Sequence, residues 1–296
     1  MKTRILSALL AALAVAGAAT ASVSAAAKVA DRKANTTAYI ADITVDGKAE
    51  DAWKYAPEFK VAKVNAKDAA WYKDTMKPGT DYADVSGKVL WDGKNTLYVL
   101  ATIVDKTPCD MSKTYTQQYF KDGVELFIEE VNDTKRTNSP NPFQRRFTYD
   151  GVQTNKAKTT KGVEITDKFA MTKTATGWVA EFACDITGAA DYIAFDMFYN
   201  DNVQGKDARD ICLGWCDDSN SAYKDSSKLG QVELSAKKVA DMIAADKAAA
   251  DKAAADKAAA AKAAAAPKTA DTGVVVAAVA VSALAAAYVL RKKNER

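Results

Sequence analysis

Two runs rich in β-branched and aromatic residues face each other across Asp92-Gly93-Lys94-Asn95, within the stretch VSGKVLWDGKNTLYVLATIVD from Val85 to Asp105. Gly and Asn tolerate the positive φ that tight strand connections need, so the stretch reads as a β-hairpin. With a side-chain period of two, Val85, Gly87, Val89 and Trp91 share one face of the first arm, and Ser86, Lys88 and Leu90 take the other. The second arm, Leu97 to Val104, is apolar on both faces except at Thr102. Such a strand lies inside a sheet that is covered on both sides. A second layer is needed to cover it, so the expected fold is all-β, an antiparallel β-sandwich.

The rest of the 296 residues divides by composition. Residues 1–27 read as a signal peptide: Lys2 and Arg4 form a basic start, Ile5 to Ala18 an apolar stretch, and small-x-small sites such as Val23-Ser24-Ala25 follow. Residues 35–234 remain as one folding domain, large enough to bury a core without disulfides or metals. A polar lead, Lys28 to Thr37, follows the signal peptide, and a helical turn is expected at Glu50-Asp51-Ala52-Trp53 with Trp53 inward. Besides the hairpin, strands are expected at Ile43–Val45, Phe59–Val61, Gly123–Glu130, Gln144–Tyr149, Gly177–Cys184, Tyr192–Tyr199 and Lys228–Leu234. Gly, Pro, Asn and Asp between them fit an antiparallel sandwich better than a βαβ array.

From Ser235 the unit Asp-Lys-Ala-Ala-Ala takes over, starting at Asp246, Asp251 and Asp256. Alanine is the best helix former and the charges keep it soluble, so residues 235–266 are expected to form a semi-rigid, partly helical spacer. Residues 267–296 read as an anchor. The 17-residue apolar run Val274 to Leu290 is at the short end for a transmembrane helix, and Arg291-Lys292-Lys293 reads as a cytoplasmic tail. Ala266-Pro267-Lys268-Thr269-Ala270 ahead of it resembles the Leu-Pro-x-Thr-Gly sorting signal that sortases cleave in Gram-positive surface proteins. Pro267 and Thr269 match, while Ala266 and Ala270 replace leucine and glycine. The resemblance implies cleavage between Thr269 and Ala270 and attachment to peptidoglycan, with a plain membrane tether as the alternative. Either arrangement puts the domain outside the cell.

Charge and composition exclude several chemistries. Lys and Arg number 41 against 38 Asp and Glu, interspersed, and no basic block with interleaved aromatics suggests a nucleic-acid partner. The chain has no histidine. That rules out Ser-His-Asp and Cys-His machinery, His-ligated zinc and His-ligated haem. Four cysteines, Cys109, Cys184, Cys212 and Cys216, allow three pairings, and their redox state stays open. A straight strand would hold Cys212 and Cys216 too far apart to bridge.

Several further segments then fall into a known order. Val45-Asp46-Gly47-Lys48-Ala49-Glu50-Asp51-Ala52-Trp53 is similar to an I-D-G-x-x-D-x-x-W opening, and the hairpin follows. Asp122-Gly123-Val124-Glu125-Leu126-Phe127-Ile128 is like D-S-V-E-I-F-I. After it come Ile193-Ala194-Phe195-Asp196, Asn200-Asp201, Gly214-Trp215-Cys216-Asp217, and Tyr223-Lys224-Asp225 through Lys228-Leu229-Gly230. Together they resemble carbohydrate-binding module family 9, a sandwich found in exported glycan-degrading proteins, over about Ile43 to Leu234.

The resemblance implies a sugar gripped between two aromatic side chains, with polar groups reading its hydroxyls. Carried onto this sequence, the clamp positions are Tyr119 and Tyr223, and the polar positions are Glu125, Arg146 and Asn220. Both clamps are tyrosine where tryptophan is usual, which reduces stacking area and adds a hydroxyl. Trp53, Trp91, Trp178 and Trp215 read as core, while Trp71 in a loop is a candidate extension of the platform. No cofactor is required. Relatives carry structural calcium, and Asp-rich loops such as Asp217-Asp218 are compatible with it, but no EF-hand pattern defines ligands.

The expected function is non-catalytic binding of an oligosaccharide or polysaccharide at the cell surface, such as the reducing end of a β-glucan or xylan. A protein-binding adhesin or assembly component is the alternative. A glycosidase using Glu125 with Asp122 is disfavoured, since residues three apart on a strand point to opposite faces. A haem domain would need a ligand pair such as methionine and lysine.

Overall fold

The computed structural model describes residues 28–65, 71–137, 143–158 and 162–265. The stretches expected to form a signal peptide, a sorting motif at Pro267, Thr269 and Ala270, and the apolar run after it lie outside these residues. Strands follow in the order β1 (Asn35–Ile40), β2 (Glu58–Lys60), β3 (Lys63–Val64), β4 (Asp84–Trp91), β5 (Thr96–Val104), β6 (Gly123–Glu129) and β7 (Gln144–Thr148). They continue with β8 (Val152–Asn155), β9 (Lys168–Thr174), β10 (Gly177–Asp185), β11 (Tyr192–Asp201), β12 (Ile211–Gly214) and β13 (Gly230–Lys238), before helix α1 (Val239–Ala265).

One layer has the order β8-β7-β6-β11-β13, with β12 beside β11 and β3 beside β12. The other has β4-β5-β10-β9, with β2 beside β4. The expected hairpin is β4 and β5, in register from Asp84↔Val104 to Trp91↔Leu97. Its turn is closed by Asp92, whose Oδ1 accepts the N–H groups of Lys94, Asn95 and Thr96 at 2.8–2.9 Å. Gly93 takes the φ of +78° that the turn demands. As the sequence predicts, β5 lies inside its sheet between β4 and β10, and Thr102 is its exposed position.

The layers meet through apolar side chains. Phe147 of β7 lies 4.6 Å from Phe182 of β10, and Met197 of β11 faces Gly87 of β4. A Cβ on Gly87 would stand 2.4 Å from the Phe59 ring, so glycine alone fits there. Trp178, Phe195 and Leu126 are fully enclosed. Burial of each such side chain is worth about 1.5–3 kcal/mol. Trp53 and Trp215 are buried too, and Trp91 is half-buried against the same core.

Three expectations need correction. The sandwich is not wholly antiparallel, because β1 joins both layers in parallel. Asn35 to Ala38 pair with Gln231 to Leu234, and after a register shift Tyr39 and Ile40 pair with Leu90 and Trp91. This strand starts inside the supposed polar lead. It is half-buried along most of its length, so no apolar alternation marked it. Ile43-Thr44-Val45 forms no strand; the next amides, of Asp46 and Gly47, donate instead to Glu181 Oε2 at 3.1 and 3.0 Å. Glu181 Oε1 also accepts from Trp53 Nε1 at 2.9 Å, which seats the 3-10 turn Asp51–Lys54. Finally, β13 runs four residues past Leu234, where the last strand was expected to end, to Lys238.

The alanine-rich segment is helical as far as Ala265, and the chain divides into two compact units between Ala244 and Ala245. Among the described residues no helix is long and apolar enough to cross a membrane. All four cysteines are buried free thiols.

Candidate functional site

The site grows out of the pleat of one layer. On β6 the period of two sends Val124, Leu126 and Ile128 to the inter-layer core and Glu125 and Phe127 to the outer face. Arg146 is paired with Glu125 across β6 and β7, and Glu125 with Phe198 across β6 and β11, so the three form one row on that face. Gln144 and Phe127 form part of the next row. Phe127 meets Phe198 edge-on at 5.0 Å, and Ala194, Cys212, Ala222 and Leu229 complete this second apolar cluster, with Tyr223 against it.

Beside that cluster opens a cleft of about 590 Å³. Tyr119, Glu125, Arg146, Asn220 and Tyr223, the five positions singled out in the sequence, all line it. They come from four separate segments that only folding brings together. Trp71 does not line it; half-buried, it packs against the inter-layer core rather than extending a platform. Asp122 is absent from the cleft as well, as its position three residues before Glu125 requires.

Glu125 is the acidic side chain among the described lining residues, and it is held from three sides. Arg146 Nε donates to Oε1 at 2.6 Å, Asn200 Nδ2 to the same oxygen at 2.7 Å, and Gln144 Nε2 to Oε2 at 2.6 Å. Burial alone would push its pKa up. The charge and hydrogen bond of Arg146, then the charge of Arg209 and the Asn200 amide, outweigh burial and bring it below the ordinary value. Arg209 joins the network by donating to Asn200 Oδ1 at 2.7 Å. The guanidinium carbons of Arg146 and Arg209 stand 5.6 and 5.4 Å from the centre of the Tyr119 ring, within cation–π range.

Gln144, Asn200 and Arg209 were not among the expected site residues, and Asn200 figured only in the Asn200-Asp201 segment of the resemblance. Gln144 was within reach, since it lies two residues from Arg146 and shares its face. Arg209 sits in a loop, and no local pattern points to it.

The segment carrying Asn220 and Tyr223 is shaped by two aspartates. Asp196 accepts the N–H groups of Cys216 and Asp217 at 3.0 and 2.9 Å. Asp217 in turn accepts from the Ser219, Ser221 and Ala222 amides and the Ser219 hydroxyl at 2.6–2.8 Å. Asn220 adopts a φ of +51°, a left-handed conformation that asparagine tolerates better than most residues.

A second cluster lies at the end of the sandwich. Asp105, Asp122 and Asp201 are all buried and bring carboxylate oxygens within 4.8 Å of one another. Asp122 accepts from the Cys109 and Asn202 amides, and Asp105 from the Thr107 amide and the Tyr199 hydroxyl. Asp201 accepts from the Ala83 amide through Oδ2, but its Oδ1 has no hydrogen-bond partner. Burial, then the neighbouring Asp105, pushes Asp122 up to about 7; burial, then Asp122, raises Asp201 well above the carboxylate range. A buried, all-oxygen, triply acidic set with one unused oxygen fits a hard cation such as calcium or magnesium, which Asp105, Asp122 and Asp201 would hold. Asp217 takes no part, since both its oxygens shape its own loop.

The fold is that of a β-sandwich binding module, and the candidate cleft opens on the outer surface of one layer. The chain belongs to the carbohydrate family 9 binding domain-like family, whose model matches residues 45–237. Among curated proteins it is 30% identical over 206 residues to Exoglucanase XynX of Acetivibrio thermocellus, covering 68% of this chain and 17% of that protein. It is 27% identical over 205 residues to Endo-1,4-beta-xylanase A of Thermoanaerobacterium saccharolyticum, covering 68% and 16%. The match thus spans about a sixth of the length of these enzymes. Among solved structures, a family 9 carbohydrate-binding module from Caldicellulosiruptor kristjanssonii in complex with glucose superposes with a TM-score of 0.55 at 17% identity, covering 69% of this chain and 97% of that one. The same organism's module in complex with cellotriose gives 0.54 at 18%, covering 69% and 95%.

Proposed function

We propose that this chain is a non-catalytic carbohydrate-binding protein that holds a sugar in the cleft between Tyr119 and Tyr223. The observation that carries the reading is the convergence of two tyrosines with Glu125, Arg146 and Asn220 in one cleft. Sugars present C–H faces that pack on aromatic rings and hydroxyls that need fixed donors and acceptors. Charged groups supply the strongest of these. Hydrolysis by the usual route needs two carboxylates flanking one bond, whereas Glu125 is the acidic group among the described lining residues and already accepts three hydrogen bonds. The glucose and cellotriose held by neighbours of the same fold support a glucan-type ligand, and the xylanase relatives support xylan as a second candidate. The alanine-rich helix serves as the spacer, and residues 267–296 as the wall or membrane anchor, that present the module outside the cell.

Calorimetric titration with glucose, cellotriose, xylobiose and their reduced alditols tests the reading. Binding that disappears in Tyr223→Ala and with the alditols identifies a reducing-end clamp. A folded protein that takes up none of these sugars sinks it.

A further inference from the structure

The cleft wall and the buried carboxylates are built on the same two segments. Residues 106–121 run from Asp105 to Asp122 and carry Tyr119, and residues 202–210 follow Asp201 and carry Arg209. The segments are bonded to each other. Thr116 gives its N–H and its hydroxyl to the two oxygens of Asp207 at 2.7 and 2.8 Å, and Asn202 Nδ2 donates to Phe120 O at 2.8 Å. Both also hang from one carboxylate, because Cys109 and Asn202 each donate a backbone N–H to Asp122. Much of their length, including residues 112–114, 116–118 and 206–208, is exposed, so little apolar burial holds them.

We propose that a divalent cation held by Asp105, Asp122 and Asp201 orders residues 106–121 and 202–210, fixes the wall made by Tyr119 and Arg209, and thereby couples cation binding to sugar binding. Three carboxylates this close repel one another, and Asp201 Oδ1 stays desolvated without a partner. A cation reverses the sign of that local field and ties the ends of both segments to a single point. Binding linkage is reciprocal, so a bound sugar tightens the cation in equal measure. The ordering of the two segments stands on the carboxylates alone; the coupling rests on the carbohydrate reading above.

Hydrogen exchange on the full chain, stripped with EDTA and then given calcium chloride or magnesium chloride alone, reads the ordering. Once the cation exceeds its Kd about tenfold, exchange in both segments slows by about tenfold, and Asp201→Asn or Asp105→Asn abolishes the effect. Glucose or cellotriose affinity, measured in the same two states, rises about fivefold or more with the cation. Unchanged exchange in these segments, or protection that survives in both variants, overturns the ordering. Protection with an unchanged sugar affinity overturns the coupling. Protection with no sugar binding in either state overturns the carbohydrate reading and the coupling and leaves the ordering in place.

Discussion

Arg146 and Glu125 are cross-strand neighbours joined by a 2.6 Å charge-assisted hydrogen bond, with 14% and 5% of their side chains exposed. The pair forms the polar floor of the cleft, and its burial makes each member depend on the other. Arg146→Ala leaves a buried carboxylate with its main counter-charge gone. The expected loss is about 3–5 kcal/mol in urea denaturation. Glu125→Gln, which removes the charge and keeps the shape, loses less.

The pair also sets a pH dependence. Glu125 titrates below its ordinary 4.5 in the folded protein, so its stabilising contribution is complete above that value. The contribution fades as pH falls through the lower folded value. Denaturation midpoints of the wild type and Glu125→Gln should therefore converge on acidification, and the sugar affinity of the wild type should fall over the same range. Midpoints that keep a constant gap would contradict the assignment.

Asn220 separates conformation from contact. Its φ of +51° suits glycine, so Asn220→Gly should keep its thermal stability, whereas Asn220→Val should lose about 1–2 kcal/mol to backbone strain. Both remove the amide and should weaken sugar binding. A glycine variant that binds as well as the wild type would remove Asn220 from the recognition set.

The cysteines offer a chemical check on the core. Burial raises the Cys109 thiol to about 12 and the Cys216 thiol to about 11, and it lifts Cys184 well above its ordinary value. Reaction with a thiol reagent in mildly alkaline buffer should be slow in the native protein. On unfolding without reductant all four thiols should react. Fewer than four would reveal a disulfide.

Much of this protein was legible in the chain itself. The hairpin, the doubly buried β5 and the layered all-β fold follow from local alternation and turn chemistry, which act between neighbours in sequence. The five cleft positions were named only through the resemblance to family 9, carried over residue by residue, and the fold gathers them in one cleft. Gln144 could have been added by counting two residues along the strand from Arg146. The remainder is non-local. β1 became a strand because two layers offered it edges, not because its own residues alternate. Asn200 reaches Glu125 only through sheet register, and Arg209 reaches Asn200 only through a loop return. Asp105, Asp122 and Asp201 are far apart in sequence, and nothing about any one of them announces the others. Alternation, turns and caps arise between neighbours along the chain and can be read there. Which charges share a buried space follows from the folded arrangement, because an electrostatic field depends on distance through the fold and not on separation along the chain.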